Sequence, residues 1–260
     1  MRAGFTDMKK TISGAILAVA CLLLLYFSPD TTTMLFVGIM TALVSAGFIL
    51  GVSRINSFSK GFRTAIAKIE ETKKISVSES WLYVKKMDSL FHNKFLDSLF
   101  VGYVKKVEAS RETPGRLLPD IEDSVNEEYL ALRSQRNLLG VIPGSLTGLG
   151  ILGTFYGLLN GLGGIRFSSV EVVVDSITLL VRGIDTAFYT SIAGVALSLL
   201  FEIITRLSWN DMMSGMLDFY ESFHSKIIAS ESVQKDVRQM EFYQKVLDHI
   251  ERDGHETETD

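Results

Sequence analysis

The sequence predicts an all-α membrane protein with four transmembrane helices and long helical extensions in the cytoplasm. Of its 260 residues, 47% are hydrophobic and 22% are charged. The charges are concentrated in segments that alternate with apolar runs long enough to cross a bilayer. Within the charged segments, apolar residues recur at helical spacing, which is typical of amphipathic helices and not of disordered chain.

Composition also argues against several functional classes. The formal net charge is −4 and basic residues are interleaved with acidic ones, so we expect no direct nucleic-acid partner. Cys21 is the one cysteine, which excludes a disulfide framework, and the four histidines are scattered, so we expect no metal site. The pattern Gly-x-Gly-x-x-Gly at 148–153 lies inside an apolar span, not after a strand, and does not indicate a dinucleotide site. We expect neither an enzyme nor a cofactor.

Residues 1–52 are predicted to form an amino-terminal transmembrane hairpin. Its apolar runs, 12–27 and 34–52, are separated by six polar or turn-forming residues. The first run follows Arg2, Lys9 and Lys10 and is also compatible with a signal peptide. Because it continues with four leucines after Cys21, cleavage there would leave an apolar tail, and a membrane span is favoured.

Residues 53–137 are predicted to form a cytoplasmic helical segment, since they contain 15 Lys or Arg and 12 Asp or Glu. A helix that starts at Pro119-Asp120 is expected to continue without a break into the third span. Residues 138–207 are predicted to hold spans three and four, joined by a short periplasmic connection at 166–182. Residues 208–260 form the cytoplasmic tail, one long helix to about residue 252, whose apolar stripe predicts a seam between subunits: Met212, Met216, Tyr220, Phe223 and Ile227.

The third span, 138–165, carries no charge and is rich in glycine. Two sets of glycines recur every four residues, so each set leaves a groove without side chains where another helix can approach closely. These helix-packing candidates are Gly140, Gly144, Gly148, Gly153, Gly157 and Gly161.

The distribution of basic residues predicts the orientation. Three precede the first span, none lies in the hairpin loop, 15 lie in 53–137, two lie between spans three and four, and six lie from Arg206 onward. The positive-inside rule therefore places both termini in the cytoplasm.

Hydroxyl side chains in spans three and four lie at one membrane depth. Thr154 and Ser191 are each 16 residues from the cytoplasmic ends, Leu138 and Leu207, or about 24 Å at 1.5 Å per residue. Thr147 shares a helix face with Thr154, whereas Ser198 and Glu202 share one with Ser191. The pattern fits either a hydroxyl-lined ion path or ordinary hydrogen bonding within and between helices.

A proton path also needs a titratable group near the midplane. Spans one to three contain no Asp, Glu, His or Lys. Asp185 lies at the outer end of span four and Glu202 near its inner end, where pairing with Arg206 at i+4 is the simpler expectation. The missing carboxylate would therefore come from another polypeptide.

Two segments carry a resemblance to a known family. GILGTFYG at 150–157 and GIDTAFYTSIAG at 183–194 are similar to the two signature helices of the MotA/TolQ/ExbB proton-channel family. PGSLTGLG at 143–150 and DTAFYTS at 185–191 resemble in particular its ZorA branch, motor subunits of the Zorya anti-phage system. The similarity covers spans three and four, about a quarter of the chain.

The resemblance implies a homopentamer in the bacterial inner membrane around a dimeric single-span partner of the MotB/ExbD/ZorB type. The partner's aspartate would relay H⁺ or Na⁺ past hydroxyls, with Thr154 and Ser191 in the places of the family's span-three and span-four threonines. Ion flow through such a stator drives mechanical work on a cytoplasmic effector.

Two features depart from the family pattern. Thr186 stands where TolQ and ExbB have a glutamate, with Asp185 one position earlier, and ZorA-type chains usually carry a longer tail, so this chain is a short-tailed or a truncated relative. The alternative hypothesis is an oligomeric membrane scaffold that conducts no ions and recruits a cytoplasmic partner.

Overall fold

The computed structural model describes residues 2–72, 77–113, 115–165 and 170–256, which form helices and turns without any strand. The helical fold class is thereby confirmed. In chain order the helices are α1 (Arg2–Tyr26), α2 (Thr31–Gly47), α3 (Ser53–Glu71), α4 (Val77–Lys85), α5 (Lys94–Arg111), α6 (Glu127–Arg133), α7 (Arg136–Gly163), α8 (Val170–Lys226) and α9 (Glu231–Glu256). A π-helical turn, Phe48–Val52, joins α2 to α3, and a 3₁₀ turn, Ile121–Asp123, precedes α6.

Three helical stretches in this part of the chain are long and apolar enough to cross a membrane, and they contain α2, α7 and α8. The apolar stretch Ile12–Tyr26 of α1 is shorter than these three. The presence of membrane-spanning helices is therefore supported, whereas a total of four spans stays a prediction.

Two predicted helices do not match the structure. The helix before span three does not continue into it, because Gln135 adopts a left-handed conformation (φ 54°) that ends α6 before α7 begins. Of the connection predicted at 166–182, residues 166–169 lie outside the described residues and 170–182 are helical, since α8 begins at Val170. The tail is not one helix, because α8 ends at Lys226 and α9 begins at Glu231.

One compact unit consists of residues 1–57 and 128–213 and holds the apolar spans. Helix α2 packs on α7, and at Gly51 a β-carbon would lie 2.5 Å from the Leu139 side chain. The hairpin is also tied to α8, because the Tyr189 hydroxyl donates to the carbonyl of Leu24 at 2.7 Å. The packing of the hairpin leaves one end of the α7–α8 pair next to the loop that contains Asp30.

The second compact unit consists of residues 58–127 and 214–260. Its core is aromatic: the rings of Phe91 and Phe219 lie 5.0 Å apart, and those of Tyr103 and Phe223 lie 5.6 Å apart. Phe219 and Phe223 are fully buried. The stripe that begins at Met212 was predicted to form a seam between subunits, but its members are already buried within the chain. That prediction was wrong, because partners for an apolar stripe on α8 are available in the same polypeptide.

The start of α9 is fastened by polar contacts within this second unit. Asp120 accepts a hydrogen bond from the backbone amide of Glu231 at 2.6 Å, and Gln234 exchanges two bonds with the backbone of Leu118, at 2.9 and 3.2 Å. Nearby, His224 contacts the Ile228 carbonyl at 2.9 Å and the Glu122 carboxylate at 2.9 and 3.0 Å. These bonds fix the turn between α8 and α9.

The contact between His224 and Glu122 belongs to a group of side chains with metal-binding atoms. Side-chain atoms of Asp120, Glu122 and His224 lie within 4.8 Å of one another. The sequence did not suggest this group, because the two acidic residues precede the histidine by about a hundred positions. In the structure, hydrogen bonds account for each of the three side chains.

Candidate ion path between α7 and α8

Helices α7 and α8 approach closely along two facing rows of small residues. A β-carbon at Gly157 would lie 2.5 Å from the Gly183 carbonyl oxygen and 2.8 Å from the Ala187 nitrogen. At Gly153 it would lie 2.5 Å from the Thr190 hydroxyl, and at Gly194 it would lie 2.7 Å from the Leu146 carbonyl. Distances below 3 Å leave no room for a side chain, so glycine is what allows the two backbones to meet.

The other predicted glycine set has a different environment. Among the described residues, nothing lies within 4 Å of a β-carbon placed at Gly140, Gly144 or Gly148. Gly161, by contrast, belongs with Gly153 and Gly157, since its β-carbon would approach the Leu180 carbonyl to 3.2 Å. Within a single chain, one glycine row therefore contacts α8 while the other is open.

Thr154 links the two helices by a hydrogen bond. Its hydroxyl lies 3.0 Å from the Gly150 carbonyl of its own helix and 3.1 Å from the Ala187 carbonyl of α8. Thr147 bonds only within α7 among the contacts described, to the Pro143 carbonyl at 3.2 Å. Of the two threonines that share a face, it is Thr154 that reaches α8.

Ser191 and Ser198 lie farther along α8. Ser191 is half-buried, and its Cα would lie 3.3 Å from a β-carbon at Gly150, which places it on the edge of the helix contact. Ser198 is buried, at 7% exposure. The structure thus brings Ser191 next to α7 at the level of Gly150, one turn from Thr154.

The sequence patterns did not identify Thr190, which immediately precedes Ser191 on α8. Thr190 is fully buried and donates to the carbonyls of Thr186 and Ala187, at 2.9 and 3.1 Å. Thr154 and Thr190 therefore share one acceptor, the Ala187 carbonyl. A signal was present in the sequence: Gly183, Ala187, Thr190 and Gly194 form a stripe of small residues at helical spacing.

The two candidate carboxylates of α8 lie in different surroundings. Asp185 is exposed. Glu202 accepts two hydrogen bonds from the Arg206 guanidinium, at 2.6 and 2.9 Å, which is the pairing that the i+4 spacing predicted. Neither carboxylate lies beside Thr154 in these contacts.

A third carboxylate lies at the end of the α7–α8 pair that adjoins the hairpin loop. Asp30 precedes α2, and its carboxylate accepts hydrogen bonds from the Thr33 amide at 2.6 Å and from the Thr186 hydroxyl. Thr186 is buried, at 4% exposure. The position where relatives were expected to carry a glutamate thus has a carboxylate beside it, supplied from a loop 156 residues away in sequence.

Two comparisons relate the chain to known proteins. The family model described as the MotA/TolQ/ExbB proton channel family matches residues 89–216. The chain is also similar to the Zorya protein ZorA of Escherichia coli O139:H28 (strain E24377A / ETEC), with 44% identity over 59 residues. That match covers 23% of this chain and 8% of the length of the relative. The resemblance to this family and to ZorA, predicted from the two signature helices, is confirmed.

Proposed function

We propose that this membrane protein, similar to the MotA/TolQ/ExbB proton channel family, is the channel-forming subunit of an ion-driven stator in the bacterial inner membrane. Five copies would surround two copies of a single-span partner that carries an aspartate. Protons, the ion named in the family's description, would pass between the subunits and drive movement of one assembly against the other.

The observation that carries this proposal is the hydroxyl series in the α7–α8 contact. Thr154 and Thr190 meet at the Ala187 carbonyl, and Ser191 follows on the same helix. Hydroxyl oxygens can coordinate a cation or form hydrogen bonds with a protonated carboxyl group. They do not release their own protons near neutral pH. A complete path therefore requires a titratable group beside them.

The partner supplies that group in the proposed mechanism. Spans one to three of this chain contain no Asp, Glu, His or Lys, and Glu202 is paired with Arg206. A partner aspartate near Thr154 and Ser191 would lose its charge on protonation, and the neutral side chain would enter a drier environment at lower cost. Release of the proton on the cytoplasmic side would restore the charge and complete one step.

The open glycine row supports assembly with other chains. A β-carbon at Gly140, Gly144 or Gly148 would meet nothing within 4 Å in the described part of the chain, and bare helix faces of this kind are where membrane helices associate. Neighbouring copies or the partner span would occupy this row. Cytoplasmic helices, including α9, would transmit the movement to an effector, and the similarity to ZorA suggests a role in anti-phage defence.

A scaffold that conducts no ions is the second candidate. Thr147 and Thr154 donate to backbone carbonyls, as threonines do in membrane helices that have no transport role. In that function the α7–α8 contact holds the fold together, and the cytoplasmic helices recruit a partner.

The first test is the native mass of the detergent-purified chain, expressed alone and with the single-span protein encoded beside it. A mass that fits five copies with two partner chains is the expected result. Proteoliposomes containing the complex should then take up protons, and Thr154→Ala or Ser191→Ala should abolish the uptake. Complexes of another stoichiometry, or variants with normal uptake, would favour the scaffold.

A further inference from the structure

A small cavity lies at the outer end of α7 and α8, the end next to the hairpin loop. It has a volume of about 160 Å³ and is reached by side chains of the loop before α2, of α7 and of α8. Its polar lining consists of Asp30, Thr32, Tyr156, Asn160, Arg182 and Thr186. The cavity therefore places the carboxylate of Asp30 and the guanidinium of Arg182 at the outer end of the α7–α8 pair.

Asp30 is held in place by both of its carboxylate oxygens. Oδ1 accepts from the backbone amide of Thr33, and Oδ2 accepts from the hydroxyl of Thr186. Asp30 is exposed as a whole. Partial desolvation of its carboxyl by itself would raise the pKa, but hydrogen bonds from Thr186, Thr33 and Thr32 outweigh this effect and lower the pKa. The carboxylate is thus kept negatively charged at neutral pH.

Hydroxyl groups continue inward from this carboxylate. Thr190 lies one helical turn from Thr186, about 6 Å along α8, and donates to the Thr186 carbonyl at 2.9 Å. Thr154 then shares the Ala187 carbonyl with Thr190. A polar series leads from the outer cavity to the threonine that the proposed ion path uses.

We propose that Asp30 is a further residue of the ion path, a fixed negative charge at the outer end of α7 and α8 that attracts the transported monovalent cation to the path between subunits. The proposal rests on the proposed function, since an attracting charge needs an ion path behind it. Arg182 lines the same cavity and offsets part of the charge. The resulting weak attraction suits conduction, which requires an ion to leave a site as readily as it enters.

The alternative role of Asp30 is purely structural, as the amino-terminal cap of α2. Asp30→Asn separates the two, because asparagine caps helices as well as aspartate does. Its carbonyl oxygen can accept from the Thr33 amide, and its NH₂ group can donate to the Thr186 hydroxyl in place of the bond that the carboxylate accepts. The cap is kept and the negative charge is removed. Asp175→Asn is the matched control, since Asp175 is an exposed carboxylate near the amino-terminal end of α8.

The experiment measures ion uptake by proteoliposomes that contain the full chain with its single-span partner, at ionic strengths from about 0.01 to 1 M, where the Debye length falls from about 30 to 3 Å. At low ionic strength Asp30→Asn should reduce uptake by about tenfold, the lower end of the effect of a charge-lined cleft on ion capture. The reduction should disappear at high ionic strength, and Asp175→Asn should behave like the wild type.

Two results would overturn the proposal while leaving the proposed function intact. In the first, Asp30→Asn takes up ions normally at low ionic strength although Thr154→Ala does not. In the second, Asp30→Asn lowers uptake equally at all ionic strengths, which is the behaviour of a local change in structure and not of a charge that salt screens. Normal uptake in both Asp30→Asn and Thr154→Ala would instead contradict the proposed function itself.

Discussion

The hydroxyl of Thr154 on α7 lies 3.1 Å from the main-chain carbonyl oxygen of Ala187 on α8. The contact is possible because Gly153 and Gly157 bring the two backbones together on either side of it. The same hydroxyl lies 3.0 Å from Gly150 of its own helix, so one proton is shared between two acceptors. A hydroxyl with this freedom can turn toward a third group, such as an ion or a partner carboxylate, at little cost.

We expect Thr154→Val to abolish ion uptake and Thr154→Ser to retain it. Valine keeps the branched shape but has no hydroxyl, whereas serine keeps the donor. Uptake by proteoliposomes that contain the partner measures the difference. Thr178→Val is the control, because the Thr178 hydroxyl is exposed and bonds to Val174 of its own helix. Equal uptake in Thr154→Val and the wild type would remove Thr154 from the path.

We expect Gly157→Ala to destabilise the chain by about 1–3 kcal/mol, the usual cost of an extra methyl group in a filled contact. Its β-carbon would lie 2.5 Å from a backbone carbonyl of α8, and backbone cannot move aside as a flexible side chain can. Unfolding in detergent measures the loss. Gly140→Ala is the matched control, with nothing within 4 Å of its β-carbon.

The same control separates folding from assembly. Gly140→Ala should leave the stability of the isolated chain unchanged while lowering the yield of the pentamer, if neighbouring helices occupy the open glycine row. Native mass spectrometry reports the yield. Were Gly157→Ala and Gly140→Ala to lose stability equally, the α7–α8 contact described here would be incorrect.

The stability contributed by Asp30 should depend on pH. Its folded pKa lies below the ordinary value of 3.8. A lowered carboxyl pKa stabilises the fold above the unfolded pKa, and this contribution is lost as the pH falls through the folded pKa. Asp30→Asn should therefore be less stable than the wild type at pH 7, and the difference should shrink below pH 3.8.

Thermal unfolding of the two proteins between pH 7 and pH 2 tests this expectation. A difference between Asp30→Asn and the wild type that stays constant with pH would mean that the charge of Asp30 makes no contribution.

Replacement of His224 should loosen the start of α9. The atoms that face its two ring nitrogens, the Ile228 carbonyl and the Glu122 carboxylate, are acceptors, so the imidazolium form can donate to both. His224→Leu removes both bonds. We expect faster hydrogen exchange of the backbone amides of residues 231–238, measured by mass spectrometry on the full chain.

Ser225→Ala is the control for that experiment, since Ser225 is exposed and bonds within its own helix. His224→Gln, which can replace one donor, should give an intermediate rate. Unchanged exchange in His224→Leu would show that the contacts of Asp120 and Gln234 are sufficient to hold α9.

Sequence patterns determined the helical fold, the long apolar helices and the family resemblance, because periodicity and local motifs follow from short stretches of chain. They also identified Thr154 as a candidate, and its role in ion transport stays a prediction. The ends of the helices were harder to predict from the sequence. The break at Gln135 is a single left-handed residue without glycine or proline, and the turn after Lys226 is held by Asp120 and Gln234, which are distant in sequence.

Only tertiary structure decided which surfaces meet. In the sequence, the two glycine rows of α7 look alike. In the structure, the stripe of small residues on α8 packs closely against the row that contains Gly153 and Gly157. The apolar stripe of α8 is buried by aromatic rings from its own chain, not by a neighbouring subunit. Asp30 lies beside Thr186 because the hairpin folds back on α8. Periodicity shows which face of a helix is apolar or small, but the face that packs against it depends on contacts between distant parts of the chain.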